Sequence, residues 1–131
     1  MRVTDDTDPA VEVVRHYLDR LVAHDWSAVA ECLSADVART GPFADTYEGR
    51  DVYMAFLSAL MPTLPGYSLS LGRILRVSPD RELLLGGATV VVQLSETIEV
   101  DGAPLETAEA LVFELDEDWR ISDISIYIQR T

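Results

Sequence analysis

The sequence predicts an α+β domain: three N-terminal helices packed on a curved mixed, mainly antiparallel sheet. Three observations carry this reading. Apolar residues between positions 9 and 64 recur at helical spacing, and those between 67 and 129 follow a strand period. No repeat, low-complexity tract or linker interrupts that order. Helices first and strands second, in 131 residues, is the pattern of a helical layer laid on one sheet. Such a pairing makes a cone with an open mouth. What lines the cone is then the functional question.

Asp8-Pro9 reads as a helix cap followed by the first helical residue. Val11, Val14, Leu18, Leu21 and Val22 continue at three- and four-residue steps, giving a helix to about His24. Asp25 caps a shorter helix with Trp26, Val29, Ala30 and Leu33 inward. A short strand follows at Val37–Arg39 and breaks at Gly41-Pro42; residues 43–48 read as a loop. After Gly49 a third helix turns Val52, Phe56, Leu57 and Leu60 inward and ends at Pro62 and Pro65. Strands are predicted at Tyr67–Val77, Leu83–Val100, Thr107–Leu115 and Trp119–Gln129. Pro79-Asp80, Asp101-Gly102 and residues 116–118 supply the turns, and Gly86-Gly87 a bulge that curls the sheet.

Composition narrows the function. The net charge is −13, from 23 acidic residues against 10 basic ones, all arginine. Such a surface releases no counterions from a polyanion, so nucleic acid and acidic membrane surfaces are disfavoured as partners. No apolar run approaches the roughly 18–20 residues needed to span a bilayer, and the N-terminus lacks a signal pattern, so a cytoplasmic location is expected. Cys32 is the only cysteine, which excludes an internal disulfide. His16 and His24, eight residues apart on one helix, lie about 12 Å apart along its axis and cannot share a metal unaided. No metal or cofactor is expected.

Candidate chemistry sits on one helix and the sheet. On the fourth predicted strand, Leu111, Phe113 and Leu115 share a face that should meet the helices, and Glu109 shares it. A glutamate there is either at the sheet rim or inside a cavity. On the last strand, alternation alone turns Ile124, Ile126 and Ile128 inward and leaves Asp123 in water. The opposite choice puts Asp123 in the cone, where desolvation would suit it to proton transfer. Periodicity leaves both open. Tyr17 on the first helix is either a donor into the cone or a packed tyrosine satisfied by a neighbour. Glu96, Glu109 and Asp123 are either acid/base groups or a polar network without turnover. Trp26 and Trp119 read as core anchors.

The stretch Val13-Val14-Arg15-His16-Tyr17 resembles the first helix of the ketosteroid isomerases, members of the NTF2-like group that includes SnoaL-type polyketide cyclases. The resemblance continues through Leu33-Ser34-Ala35-Asp36, Pro42, Gly49-Arg50-Asp51, Phe56, Gly102, Phe113 and Trp119-Arg120-Ile121. It implies that residues 1–131 form a single SnoaL-like domain of cone-shaped NTF2-like fold, with 1–8 a flexible tail. It also implies a hydrophobic small molecule as ligand, in a pocket lined by Phe56, Leu94, Glu96, Leu111, Phe113, Ser125 and Tyr127. Tyr17 matches the tyrosine that donates to the developing oxyanion. Asp123 matches the last-strand acid/base of the cyclases, with Glu109 as its alternate. The isomerase base is replaced by Gly41, and its protonated aspartate by Leu111. The chemistry implied is therefore acid/base isomerisation, cyclisation or dehydration next to a carbonyl, or non-catalytic binding in the same cone. With Asp123 inward, Ala108, Ala110, Val112, Ile124, Ile126 and Ile128 would form an outer apolar stripe and a homodimer interface.

Overall fold

The computed structural model describes residues 8–77 and 87–129. Helix α1 (Pro9–Val22) is capped by Asp8, whose side chain accepts from the Ala10 amide at 3.0 Å. Pro9 occupies the first turn, where its missing N–H breaks no helical bond. Val11, Val14, Leu18 and Leu21 are buried along one stripe, and Tyr17 is buried with them. Arg76 grips Asp8 at 2.7 Å and so ties the start of α1 to the sheet. Asp25 caps α2 (Trp26–Glu31) through the Ala28 amide. Helix α3 (Arg50–Leu60) starts after Gly49, whose φ of 95° favours glycine, and runs into a 3-10 turn at Met61–Thr63.

The inward stripe of α3 differs from the one expected. Val52 is 52% exposed, whereas Tyr53 and Leu57 are buried and Phe56 partly so. Positions 53, 56, 57 and 60 fit the helical spacing, and only the polarity of a tyrosine hid the first of them.

Six strands form one sheet in the order β2-β1-β6-β5-β4-β3: β1 (Leu33–Thr40), β2 (Thr46–Glu48), β3 (Ser68–Val77), β4 (Ala88–Val100), β5 (Ala103–Leu115) and β6 (Ile121–Ile128). The β1–β6 pairing is parallel and the other four are antiparallel. The first strand is longer than expected because its start also pairs on β6, Leu33 opposite Ile121. The expected loop at 43–48 ends in the edge strand β2. Strand β5 begins at Ala103 rather than Thr107. Asp101 and Gly102, with φ of 54° and 80°, make a two-residue turn that sets Val100 directly opposite Ala103.

Register shifts between Leu71 and Ile74, and between Glu114 and Leu115, add local twist and curl the sheet. Gly87 is required where it stands: a Cβ there would lie 2.2 Å from the Leu115 carbonyl oxygen. Residues 1–7 of the tail expected at 1–8, the Pro79-Asp80 turn and residues 83–86 of the expected strand lie outside the described residues, whereas Asp8 is fixed as the cap of α1. The concave face presents Val90, Val92, Phe113, Ile121 and Ile124 to the buried stripe of α1 and to Leu57 of α3. Each such side chain contributes roughly 1.5–3 kcal/mol by leaving water.

Candidate active site

Above that core the concave face and the helices enclose a cavity of about 320 Å³. Its wall is mostly apolar, including Leu21, Phe56, Leu60, Leu94, Leu111 and Ile126, and six polar side chains break it: Tyr17, Arg39, Asp45, Tyr53, Glu96 and Glu109. These fall into two groups on different walls.

One group is a hydroxyl pair. Tyr17 on α1 and Tyr53 on α3 are each 2% exposed, and their oxygens lie 2.6 Å apart. Burial above all pushes both phenols above their ordinary value, so both keep their hydrogens. The ring of Tyr17 meets Phe113 edge-on at 5.7 Å, which fixes its direction. Arg39 adjoins this group from β1 and opposes the rise of both phenols through its charge.

The other group is a carboxyl pair. Leu94 lies opposite Glu109 and Glu96 opposite Thr107, so the two glutamates are diagonal neighbours on one face of β4–β5. Desolvation first, then the hydrogen bond and charge of Glu96, hold the Glu109 carboxyl up to about 9; Arg39 pulls the other way. A carboxyl held that high keeps its proton at neutral pH. Tyr67, at the head of β3, donates to Glu96 through a short hydrogen bond. Burial and the Glu96 charge push Tyr67 above its ordinary value in turn.

The last strand corrects the expected site. Leu111 lies opposite Ile126 and Phe113 opposite Ile124, and cross-strand partners share a face, so these isoleucines turn inward. Asp123, Ser125 and Tyr127 pair with Glu114, Val112 and Ala110 and lie on the outer face. Tyr127 is 60% exposed, and Ser125 donates to Asp123 at 3.3 Å, away from the cavity. Carrying the cyclase aspartate onto Asp123 put the strand one residue out of phase, which reverses every side chain. Alternation alone had them correctly. Phe113 is fully buried behind the Tyr17 ring and lines core rather than cavity. The structure does bring together Tyr17, Glu109, Phe56, Leu94, Glu96 and Leu111.

Arg39, Asp45, Tyr53 and Tyr67 were missed. Arg39 was legible in part, because it shares a strand face with the buried Val37. Tyr67 carried no periodic signal. Cys32, buried and donating to the Ala28 carbonyl, has its thiol pushed up to about 11 by burial, then by the Glu31 charge, and is inert at neutral pH. Among the described residues no group of three or more His, Cys, Asp or Glu side chains is placed to hold a metal ion.

A sequence profile for the SnoaL-like domain matches residues 14–124. The chain belongs to the SnoaL-like domain family. A search of curated proteins finds no match to this SnoaL-like domain. Solved structures do match its fold. Bal32a, from a soil-derived mobile gene cassette, superposes with a TM-score of 0.77 at 19% identity, over 95% of this chain and 92% of the other. An LEH-like epoxide hydrolase of M. tuberculosis gives 0.75 at 21% identity, over 95% and 86%. A Catenulispora acidiphila protein with a ketosteroid isomerase-like fold, in complex with trimethylamine, gives 0.71 at 13% identity, over 88% and 84%. At these identities the likeness establishes the cone-shaped NTF2-like fold of this SnoaL-like domain and nothing finer.

Proposed function

We propose that this SnoaL-like domain binds a hydrophobic carbonyl compound in its cone and moves a proton at the carbon beside the carbonyl. The observation that carries the reading is a hydroxyl pair and two neighbouring glutamates, Glu109 held neutral, lining a single apolar cavity. Tyr17 donates to the carbonyl oxygen. The Glu96–Glu109 pair accepts the proton from the adjacent carbon as its C–H bond breaks, and the electron pair moves onto the oxygen as an enolate. The same pair then returns the proton to carbon. No metal or cofactor enters the reading.

The test is exchange of solvent deuterium into the α-positions of a panel of hydrophobic ketones, followed by NMR. Catalysed exchange supports the reading. Binding without exchange across the panel favours the second reading, a non-catalytic ligand carrier, which Gly41 in place of the isomerase base supports.

The homodimer is carried forward on a revised face. Ile124, Ile126 and Ile128 are withdrawn from it; Leu75, Val91, Val112, Ala110 and Tyr127 form its apolar part by cross-strand pairing. Val112→Glu should convert dimer to monomer in sedimentation, and an unmutated protein that is monomeric at micromolar concentration would remove the proposal. None of the described helices is long and apolar enough to cross a membrane; a cytoplasmic location stays part of the proposal.

A further inference from the structure

Tyr67 stands where the chain leaves the helical layer and enters the sheet. Gly66 before it has a φ of 64°, which favours glycine, and the Pro65 carbonyl accepts from the Glu99 amide at 2.8 Å. The turn is therefore pinned to β4 before β3 begins. Ser68 then lies opposite Thr97, and Leu69 opposite Glu96. Residues two apart on an extended chain share a face, which brings Tyr67 to the side of Leu69 and Glu96. The Tyr67 ring packs half-buried against the core, and its hydroxyl donates to Glu96 Oε2. Leu69, Glu96 and Glu109 line the cavity, and Tyr67 stands behind them.

A ring alone would anchor this turn, so the hydroxyl is what needs an account. Glu96 and Glu109 are diagonal neighbours across β4–β5, at a separation that long side chains can close or leave open. A glutamate side chain turns about three bonds. The direction of Glu96 therefore decides whether its carboxyl meets Glu109 or swings away from it. The Tyr67 hydroxyl takes one of the two Glu96 oxygens and leaves the other for a second partner. Burial, then the Glu96 charge, pushes the Tyr67 phenol above its ordinary value, so it keeps the hydrogen it donates. The contact is felt at Glu109 as well: after burial, it is Glu96 that holds the Glu109 carboxyl up.

We infer that Tyr67 is a positioning residue for the proton-transfer end of the cavity. By holding Glu96 Oε2, its hydroxyl directs the other Glu96 oxygen at Glu109 and at the ligand carbon that loses its proton. This rests on the role proposed for the Glu96–Glu109 pair. Tyr67 touches no ligand and acts through Glu96. Without the hydroxyl, Glu96 samples several directions, and only the one aimed at the ligand carbon is productive.

The test compares the full chain with Tyr67→Phe, which keeps the ring and removes the hydroxyl. Two quantities are measured: α-deuterium exchange into the hydrophobic ketones, and the Glu109 titration by carbon-detected NMR. The variant should lose roughly 10–10²-fold in maximal exchange rate, with half-saturation kept within about twofold. Its Glu109 carboxyl should titrate about one pH unit or more below the value near 9, because Glu96 no longer stays beside it. A packing role alone moves neither, since phenylalanine fills the same space. Either quantity unchanged would overturn the inference and leave the proton-transfer reading standing. Action through Glu96 is checked in a Glu96→Gln background. There, adding Tyr67→Phe should leave the Glu109 titration where Glu96→Gln alone puts it, and a further fall would overturn the inference. If the unmutated protein catalyses no exchange, the proton-transfer reading falls, and the Glu109 titration by itself decides whether Tyr67 positions the pair.

Discussion

The two walls of the cavity hold their protons differently. On the helix side, Tyr17 and Tyr53 are fully buried, and each phenol keeps its hydrogen at any physiological pH. On the sheet side, Glu96 and Glu109 are only partly buried, and Glu109 is held protonated at neutral pH. Like groups in contact thus yield a fixed donor in one place and an exchangeable proton in the other. The difference is set by intrinsic acidity: burial pushes a phenol further from titration, but brings a carboxyl nearer to neutral pH. A site with one end that only donates and one end that exchanges is equipped to polarise a carbonyl and move a proton beside it.

The sharpest way to break this contrast is Glu109→Gln, which keeps the shape and removes the exchangeable proton. The expected loss in α-deuterium exchange is roughly 10²–10⁴-fold, with ligand binding retained. The same variant has a signature in stability. The folded chain keeps Glu109 protonated up to about 9, against about 4.3 for a free glutamate, so folding takes up a proton between those values. The stability the wild-type group confers is complete below the lower value and is lost as pH rises through the upper one. The melting temperature of Glu109→Gln should therefore gain on the wild type from about pH 5 towards pH 9. A constant difference would show that the carboxyl is not held neutral.

Tyr17→Phe attacks the other wall. Removing a donor to a developing oxyanion costs roughly 10²–10³-fold in rate. It also takes the hydrogen-bond partner from the buried Tyr53 hydroxyl, at about 1–3 kcal/mol of stability by thermal melting. Asp123→Asn should do least. Its side chain lies on the outer face, and exchange rate and stability should stay within about twofold and about 0.5 kcal/mol. A large loss of exchange there would return the last-strand aspartate to the site.

Much of this was legible from the chain. Helical spacing gave α1 and its tyrosine, and alternation on β5 put Glu109 on the face of Leu111 and Phe113. The one reversal came at β6, where a residue matched by resemblance outweighed the alternation of Ile124 and Ile126. A one-residue phase error is invisible to motif matching, yet it turns every side chain over. Arg39 and Asp45 were hidden for another reason. Their pairing depends on a loop that returns β1 onto β2 and on a glycine whose space they fill, and neither leaves a periodic trace. Tyr53 was concealed by the assumption that an inward stripe is purely apolar.

The claim on which the rest depends is that Glu109, beside Glu96, keeps its proton at neutral pH. Carbon-detected NMR of the glutamate side-chain carboxyls across a pH series tests it directly, with Glu109→Gln used to assign the resonance. The account predicts that Glu109 titrates near 9. Titration of Glu109 near the free-glutamate value of about 4.3 would contradict it.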